Sequence, residues 1–108
     1  MEKPLLAVVI PCFNEELCIK ETVDKLFLVL NDLISKNKIK PESYLYLVDD
    51  GSKDSTWDII SELHNTNPLV KGLKFVKNFG NQKALIAGLE AVKVLGCDCV
   101  VTIDADLQ

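Results

Sequence analysis

Four short apolar runs, each closed by a polar corner, alternate with three stretches of helical period, and that alternation leaves few ways for the chain to fold. Leu5 to Ile10 is continuous and apolar, the mark of a strand covered on both faces, and Pro11 is expected to end it. From Glu15 onward Ile19, Val23, Leu26, Phe27, Leu30 and Ile34 recur at three and four, one stripe on a helix. Asn14 is its expected N-cap, with Glu15 and Glu16 in the first turn, where negative charge is favourable. Lys36 to Pro41 reads as a solvated turn, and Tyr44 to Val48 as the second strand. A short helix from Ser55 to His64 follows, capped by Asp54, with Trp57, Ile60 and Leu63 near one face. Leu73 to Val76 is the expected third strand. The helix after Asn78-Phe79-Gly80-Asn81 should bury Leu85, Ile86, Leu89 and Val92. Gly88 in its middle costs about 1 kcal/mol unless close packing on the sheet requires it. Gly96 is a natural C-terminal stop, and Cys99 to Ile103 is the fourth strand.

Such alternation makes successive βαβ units, hence an α/β, Rossmann-like and mostly parallel sheet with right-handed crossovers. A chain of 108 residues is one domain at most. All strand ends then open on one edge, where ligands bind in such folds. Pro11 to Glu15, Asp49 to Ser52, Lys77 to Lys83 and Asp104 to Gln108 all fall there.

Apolar content of 48% supports a core. Twelve Lys and Arg against sixteen Asp and Glu give a net charge of -4, which gives no support for nucleic-acid binding. No apolar run is long enough to span a bilayer, and the start lacks the flanks of a signal peptide, so a cytosolic setting is expected. Cys12, Cys18, Cys97 and Cys99 follow no zinc spacing and read as reduced, structural cysteines; His64, the only histidine, lies in a helical stretch.

The chain closes on Asp104-Ala105-Asp106-Leu107-Gln108. Alternation in a still-extended segment would put both aspartates on one side, close enough to share a hard cation such as Mg²⁺ or Mn²⁺. Two carboxylates held together without a cation would raise one pKa, so a metal resolves the repulsion. A D-x-D triplet alone is a weak signal, because strand-end aspartates often cap the next helix. Asp49-Asp50-Gly51-Ser52 suits ordinary turn chemistry, and equally a carboxylate that accepts from a base N–H or a ribose hydroxyl. Asn78 to Lys83 opens a helix, and helix starts attract phosphate. Lys77 and Lys83 are candidates to add positive charge there, against the plainer reading of surface lysines.

Rival enzymes fail on placement. Neither G-x-G-x-x-G nor G-x-x-x-x-G-K-[ST] occurs. A phospho-receiver carries its acidic pair after the first strand, and a haloacid-type phosphatase carries D-x-D there. This chain has Pro11-Cys12-Phe13-Asn14 at that place.

Val8 to Glu16, Val48 to Thr56, Lys77-Asn78-Phe79-Gly80 and Asp104 to Gln108 resemble, in order, the blocks of family-2 glycosyltransferases. The polyprenyl-phosphate branch is the most similar. The resemblance covers nearly the whole chain. It implies the amino-terminal nucleotide-binding half of a glycosyltransferase A fold over residues 1–108, and a nucleotide-diphosphate sugar donor bound with Mg²⁺ or Mn²⁺. By the same resemblance Pro11, Phe13 and Glu15 line the nucleoside pocket. Asp49 or Asp50 contacts the base, Asp50 being slightly favoured. Asp104 and Asp106 hold the metal and diphosphate, with Gln108 as a further ligand. Lys77 stands where the family commonly has Arg, which loses a planar fork for phosphate. Asn81 stands where His or Lys is frequent.

The resemblance further implies inverting transfer of a hexose to a polyprenyl phosphate or another cell-envelope acceptor. The full-length enzyme is expected to carry an acceptor-binding half and membrane helices, which places this domain at the inner face of the cell membrane. The isolated chain is then expected to be inactive and, through an uncovered sheet edge, to self-associate. The alternatives are transfer to a sugar hydroxyl, a non-catalytic nucleotide-binding module, or a nucleotidyltransferase using the same crevice.

Overall fold

A computed structural model describes residues 2–106 of the chain. Seven elements follow one another: β1 (Leu6–Cys12), α1 (Ile19–Ser35), β2 (Tyr44–Asp49), α2 (Thr56–Thr66), β3 (Val70–Lys74), α3 (Asn81–Leu95) and β4 (Cys99–Thr102). The strands form one parallel sheet in the order β3-β2-β1-β4. Every carboxyl end therefore opens on the same edge.

Period-two alternation sorts the central strands into two cores. Val8, Ile10, Leu45 and Leu47 face α1 and α2, meeting Ile19, Val23, Leu26, Leu30 and Ile60. Ala7, Val9, Tyr44, Tyr46 and Val48 face α3, meeting Ala84 and Val92. Each large aliphatic side chain so enclosed contributes roughly 1.5–3 kcal/mol. The central strands thus anchor the edge on which the corners sit.

At β1, the start of α1, β3 and α3, four sequence expectations are overturned. Pro11 does not end β1, which runs on to Cys12 paired with Asp49. In a parallel ladder alternate residues point to alternate neighbours. Val9 and Pro11 point toward β4, while Cys12 accepts from Asp50 N–H on the β2 side. The β4 ladder stops at the Val9–Thr102 pair, so the amide that proline lacks falls where no ladder bond is required. Asn14 is not an N-cap; it sits at φ 52° in a turn, and α1 begins only at Ile19. Strand β3 lies earlier than Leu73 to Val76, because its residues pair in register with Leu45 to Asp49. Val76 is almost fully exposed.

The fourth departure is the rotation of α3. Its buried side is Ala84, Gly88 and Val92, with Leu85 and Leu89 half-buried and Ile86 exposed. Small residues decide this. A Cβ on Gly88 would lie 2.5 Å from Val9 Cγ1 and 3.0 Å from Val48 Cγ2, so the helix backbone rests almost on the sheet. The close packing expected of Gly88 is present. Turning the bulkier Ile86 inward would push the helix outward.

Candidate active site

Three of the four polar corners are stitched into one surface. The Asn14 amide donates to Ser52 Oγ at 2.8 Å, and Asn14 Oδ1 accepts from the Lys53 amide at 2.9 Å. Glu15 N–H donates to Thr56 Oγ1, while Asp54 accepts from the Thr56 amide and hydroxyl. Glu16 completes the exchange, its amide donating to Asp54 and its carboxylate accepting from the Ser55 amide. The N-cap of α2 is Ser55 and not the expected Asp54, which lies one residue earlier, accepts from the first helical amide and joins that start to the loop after β1. These hydrogen bonds hold the Asp54 carboxyl below its ordinary range against the opposing effect of desolvation, the largest single contribution.

Asp50 ties the second corner to the third. Its Oδ1 accepts from the Phe79 amide at 2.8 Å, and its Oδ2 from the Gly80 amide and the Asn78 side chain, both at 3.1 Å. Its backbone carbonyl takes a further bond from the Asn78 side chain. Gly51, at φ 70°, lets the two backbones touch; a Cβ there would sit 2.2 Å from the Lys77 carbonyl carbon. Asp49 is fully buried behind this turn. Its Oδ1 accepts from the Ser52 amide at 3.0 Å, while Oδ2 has no partner among the described residues.

A crevice of about 310 Å³ opens between these corners, lined by Pro11, Cys12, Phe13, Glu15, Asp50, Asn78, Gly80 and Asn81. Four of the expected nucleoside-side residues, Pro11, Phe13, Glu15 and Asp50, thus share one hollow, while Asp49 lies beneath it. Lys77 lines an adjoining hollow with Phe13. Lys77 and Lys83 both lie over the Phe79 ring, at 5.3 and 5.8 Å from its centroid. Their ammonium groups are gathered beside the first turn of α3 by that ring's negative face.

The fourth corner is reached through α1. Ala105 is buried, and its carbonyl accepts from the Thr22 hydroxyl and, at 3.8 Å, from the Cys18 thiol. The same thiol donates to Glu15 Oε2 at 3.0 Å. Cys18 therefore bridges Glu15 to the D-x-D segment, and its pKa rises to about 11, first because of that bond to Glu15 and then through burial and the charges of Glu15 and Asp106. Burial, then Asp49 and Glu15, pushes the Cys12 thiol far upward as well. Negative potential is concentrated here.

Asp104 and Asp106 are exposed. The segment does not stay extended as the alternation argument assumed, because a turn begins at Ala105. Among the described residues no cluster of three or more His, Cys, Asp or Glu side chains is placed to hold a metal. Two exposed carboxylates in a negative field are nonetheless hard oxygen donors suited to Mg²⁺ or Mn²⁺, which take further ligands from phosphate and water. Gln108, the remaining expected ligand, lies outside the described residues. Sequence reasoning did not single out Asn78, Thr22 or Cys18 as site residues. Asn78 stood inside the quoted Lys77 to Gly80 block without a role of its own, and no local pattern marks Thr22 or Cys18, whose shared partner Ala105 is far away in sequence.

Comparison with known proteins places this architecture. Part of a mannosyltransferase from Pyrobaculum calidifontis, solved with GDP-Man and Mn²⁺, superposes with a TM-score of 0.74 at 22% identity, covering 98% of this chain and 28% of that one. Staphylococcus aureus TarS gives a TM-score of 0.64 at 27% identity over 98% of this chain and 17% of that one. The fold is thus α/β, of the glycosyltransferase A type, and the chain matches only part of each of these structures. In sequence the chain is 49% identical over 106 residues to the uncharacterized glycosyltransferase YkoT of Bacillus subtilis, covering 98% of this chain and 31% of that protein. It is 38% identical over 104 residues to a bactoprenol glucosyl transferase of Shigella phage SfV, covering 95% of this chain and 31% of that protein. The chain thus spans about a third of the length of these relatives. The family model of glycosyl transferase family 2 matches residues 7–108, and the chain belongs to that family.

Proposed function

We propose that this chain forms the donor-binding part of an inverting glycosyltransferase that moves a hexose from a nucleotide-diphosphate sugar to a polyprenyl phosphate. The observation that carries the reading is the crevice in which Pro11, Phe13, Glu15 and Asp50 meet beside the start of α3. Phe13, 43% exposed, offers a ring face for the base. Asp50 offers the base-side acceptor: three protein donors occupy its carboxylate, and a carboxylate has about four lone-pair sites. Asp49 builds the turn behind it. Lys77 and Lys83, with the free amides of the first turn of α3, face the diphosphate.

Asp104 and Asp106, with Gln108, would hold the divalent cation, which when bound supplies positive charge for the departing nucleoside diphosphate. A phosphate-monoester acceptor is already anionic near neutral pH, so this chain needs no strong general base in the crevice. A sugar hydroxyl would need one, and that distinguishes the alternative acceptor. Among the described residues no helix is long and apolar enough to cross a membrane. A lipid acceptor implies that the full-length protein works at the inner face of the cell membrane.

The test is calorimetric titration of the chain with UDP, GDP and their sugar conjugates, with and without Mn²⁺. Binding of one nucleotide should strengthen at least tenfold with Mn²⁺ and lose that gain in Asp106→Ala. Equal binding with and without the ion would remove the metal role. Absence of binding to any nucleotide would remove the donor-binding reading itself.

A further inference from the structure

The outer edge of β3 carries chemistry that the nucleotide site does not use. The pairing of Leu45 with Val70 turns Leu69, Lys71, Leu73 and Phe75 toward β2, as the bonds from Leu45 N–H to Leu69 and from Phe75 N–H to Asp49 show. Val70, Gly72 and Lys74 consequently aim their amides and carbonyls outward. Val70 is satisfied locally: its amide donates to Asn67, and its carbonyl lies 2.6 Å from His64 Nδ1. Among the described residues Gly72 and Lys74 have no such cap. Two residues of strand, about 6.6 Å, separate their open groups, which is the repeat of an added strand.

A groove of about 760 Å³ runs beside this edge. Trp57 and His64 of α2 wall it on one face of the sheet, and Val94 and Leu95 of α3 on the other. Val94 is 86% exposed, an apolar side chain with no cover. Gly72 brings no side chain into the channel, and a Cβ there would already press on the Leu47 carbonyl. The charge is one-sided. Lys71 lines the groove, Lys74 is the last residue of the same strand, and no carboxylate is among the lining residues, on a chain whose net charge is -4.

We propose that this edge docks an extended, acidic segment of a partner protein, which adds to the sheet as a strand beside β3. Main-chain pairing to Gly72 and Lys74 supplies the affinity, and alternate side chains drop onto the Trp57 and Val94 walls. Carboxylates on the partner neutralise Lys71 and Lys74. A second copy pairing β3 with β3 would instead set lysines against lysines across the new ladder, which is unfavourable.

Trp57 is the only tryptophan of the chain, so its emission reports occupancy directly. The probes are two octapeptides, one alternating Glu with Val and the other alternating Lys with Val, titrated into the whole chain with amide exchange followed residue by residue. The acidic peptide should shift Trp57 emission and slow exchange at Gly72 and Lys74 at least tenfold. The joint change Lys71→Glu and Lys74→Glu should weaken it at least tenfold, and Lys71→Gln with Lys74→Gln should do so to a lesser degree if the reversed pair fails to fold. An equal response to the basic peptide, or a Trp57 shift without protection of those two amides, overturns the proposal. Protection that instead appears without peptide and grows with protein concentration assigns the edge to a second copy.

Discussion

Asp49-Asp50 and Asp104-Asp106 occupy equivalent places, each following a parallel strand of the sheet, yet protein donors enclose the first pair while the second faces solvent. The first follows β2, a strand buried along its whole length. Its carboxylates bond to the backbone amides of Ser52, Phe79 and Gly80 and so define the loops around the crevice. The second follows β4, whose four residues are all exposed. There the protein grips the Ala105 carbonyl between the carboxylates, through Thr22 and Cys18. One D-D pair builds the site; the other is positioned by its backbone and presented. Equal charge at equal topological positions therefore does not mean equal work, because the surrounding donors decide whether a carboxylate is structural.

That contrast is easiest to break at Asp50. Asp50→Ala strips the acceptors from two backbone amides and the Asn78 side chain, and should cost about 3 kcal/mol of stability, measured as a lowered urea midpoint. A loss of only a few tenths would show that the loop holds itself and that the enclosure of the first pair is incidental.

A smaller effect should appear at Cys18, which links the two regions. With its pKa raised to about 11, alkylation by iodoacetamide at pH 8 should run about tenfold slower than for an unperturbed thiol, the loss of thiolate being partly offset by its higher nucleophilicity. Glu15→Gln should restore most of the rate. The folded pKa lies above the ordinary thiol value of 9.0, so the stabilisation associated with this thiol is fully present below pH 9 and is lost as pH rises toward 11. Unchanged kinetics in the glutamine variant would detach Glu15 from the D-x-D corner.

The smallest change is expected where the carboxylate is exposed. Asp104→Ala should change the unfolding free energy measured in urea by no more than about 0.5 kcal/mol, while the Mn²⁺-dependent gain in nucleotide binding disappears. A stability loss as large as that of Asp50→Ala would erase the distinction between the two corners.

Much of this was legible in the residues. The four strands, three helices, parallel order and gathering of corners on one edge follow from hydrophobic period and short connections. The gathering of Pro11 to Glu15 and Asp49 to Ser52 on one edge followed from the strand ends, while the choice of Pro11, Phe13, Glu15 and Asp50, which share one hollow, came from the family resemblance. Other features were not legible. Asn14 has the composition of a cap, but the Ser52 hydroxyl and the Lys53 amide hold it in a left-handed turn. The large residues of α3 looked like its buried face, yet Gly88 and Ala84 allow closer approach, and packing density chose them.

By itself the sequence determined the kind of architecture and the edge that carries chemistry, because periodicity and turn residues act over a few neighbours. Tertiary structure alone decided that Asp50 serves as an acceptor for Asn78, Phe79 and Gly80, residues 28 to 30 positions away. It also decided that Cys18 joins Glu15 to Ala105, 87 positions on. The reason is physical: a carboxylate or thiol takes whichever donors and acceptors folding brings within about 3 Å, and that proximity is set by the packing of whole elements.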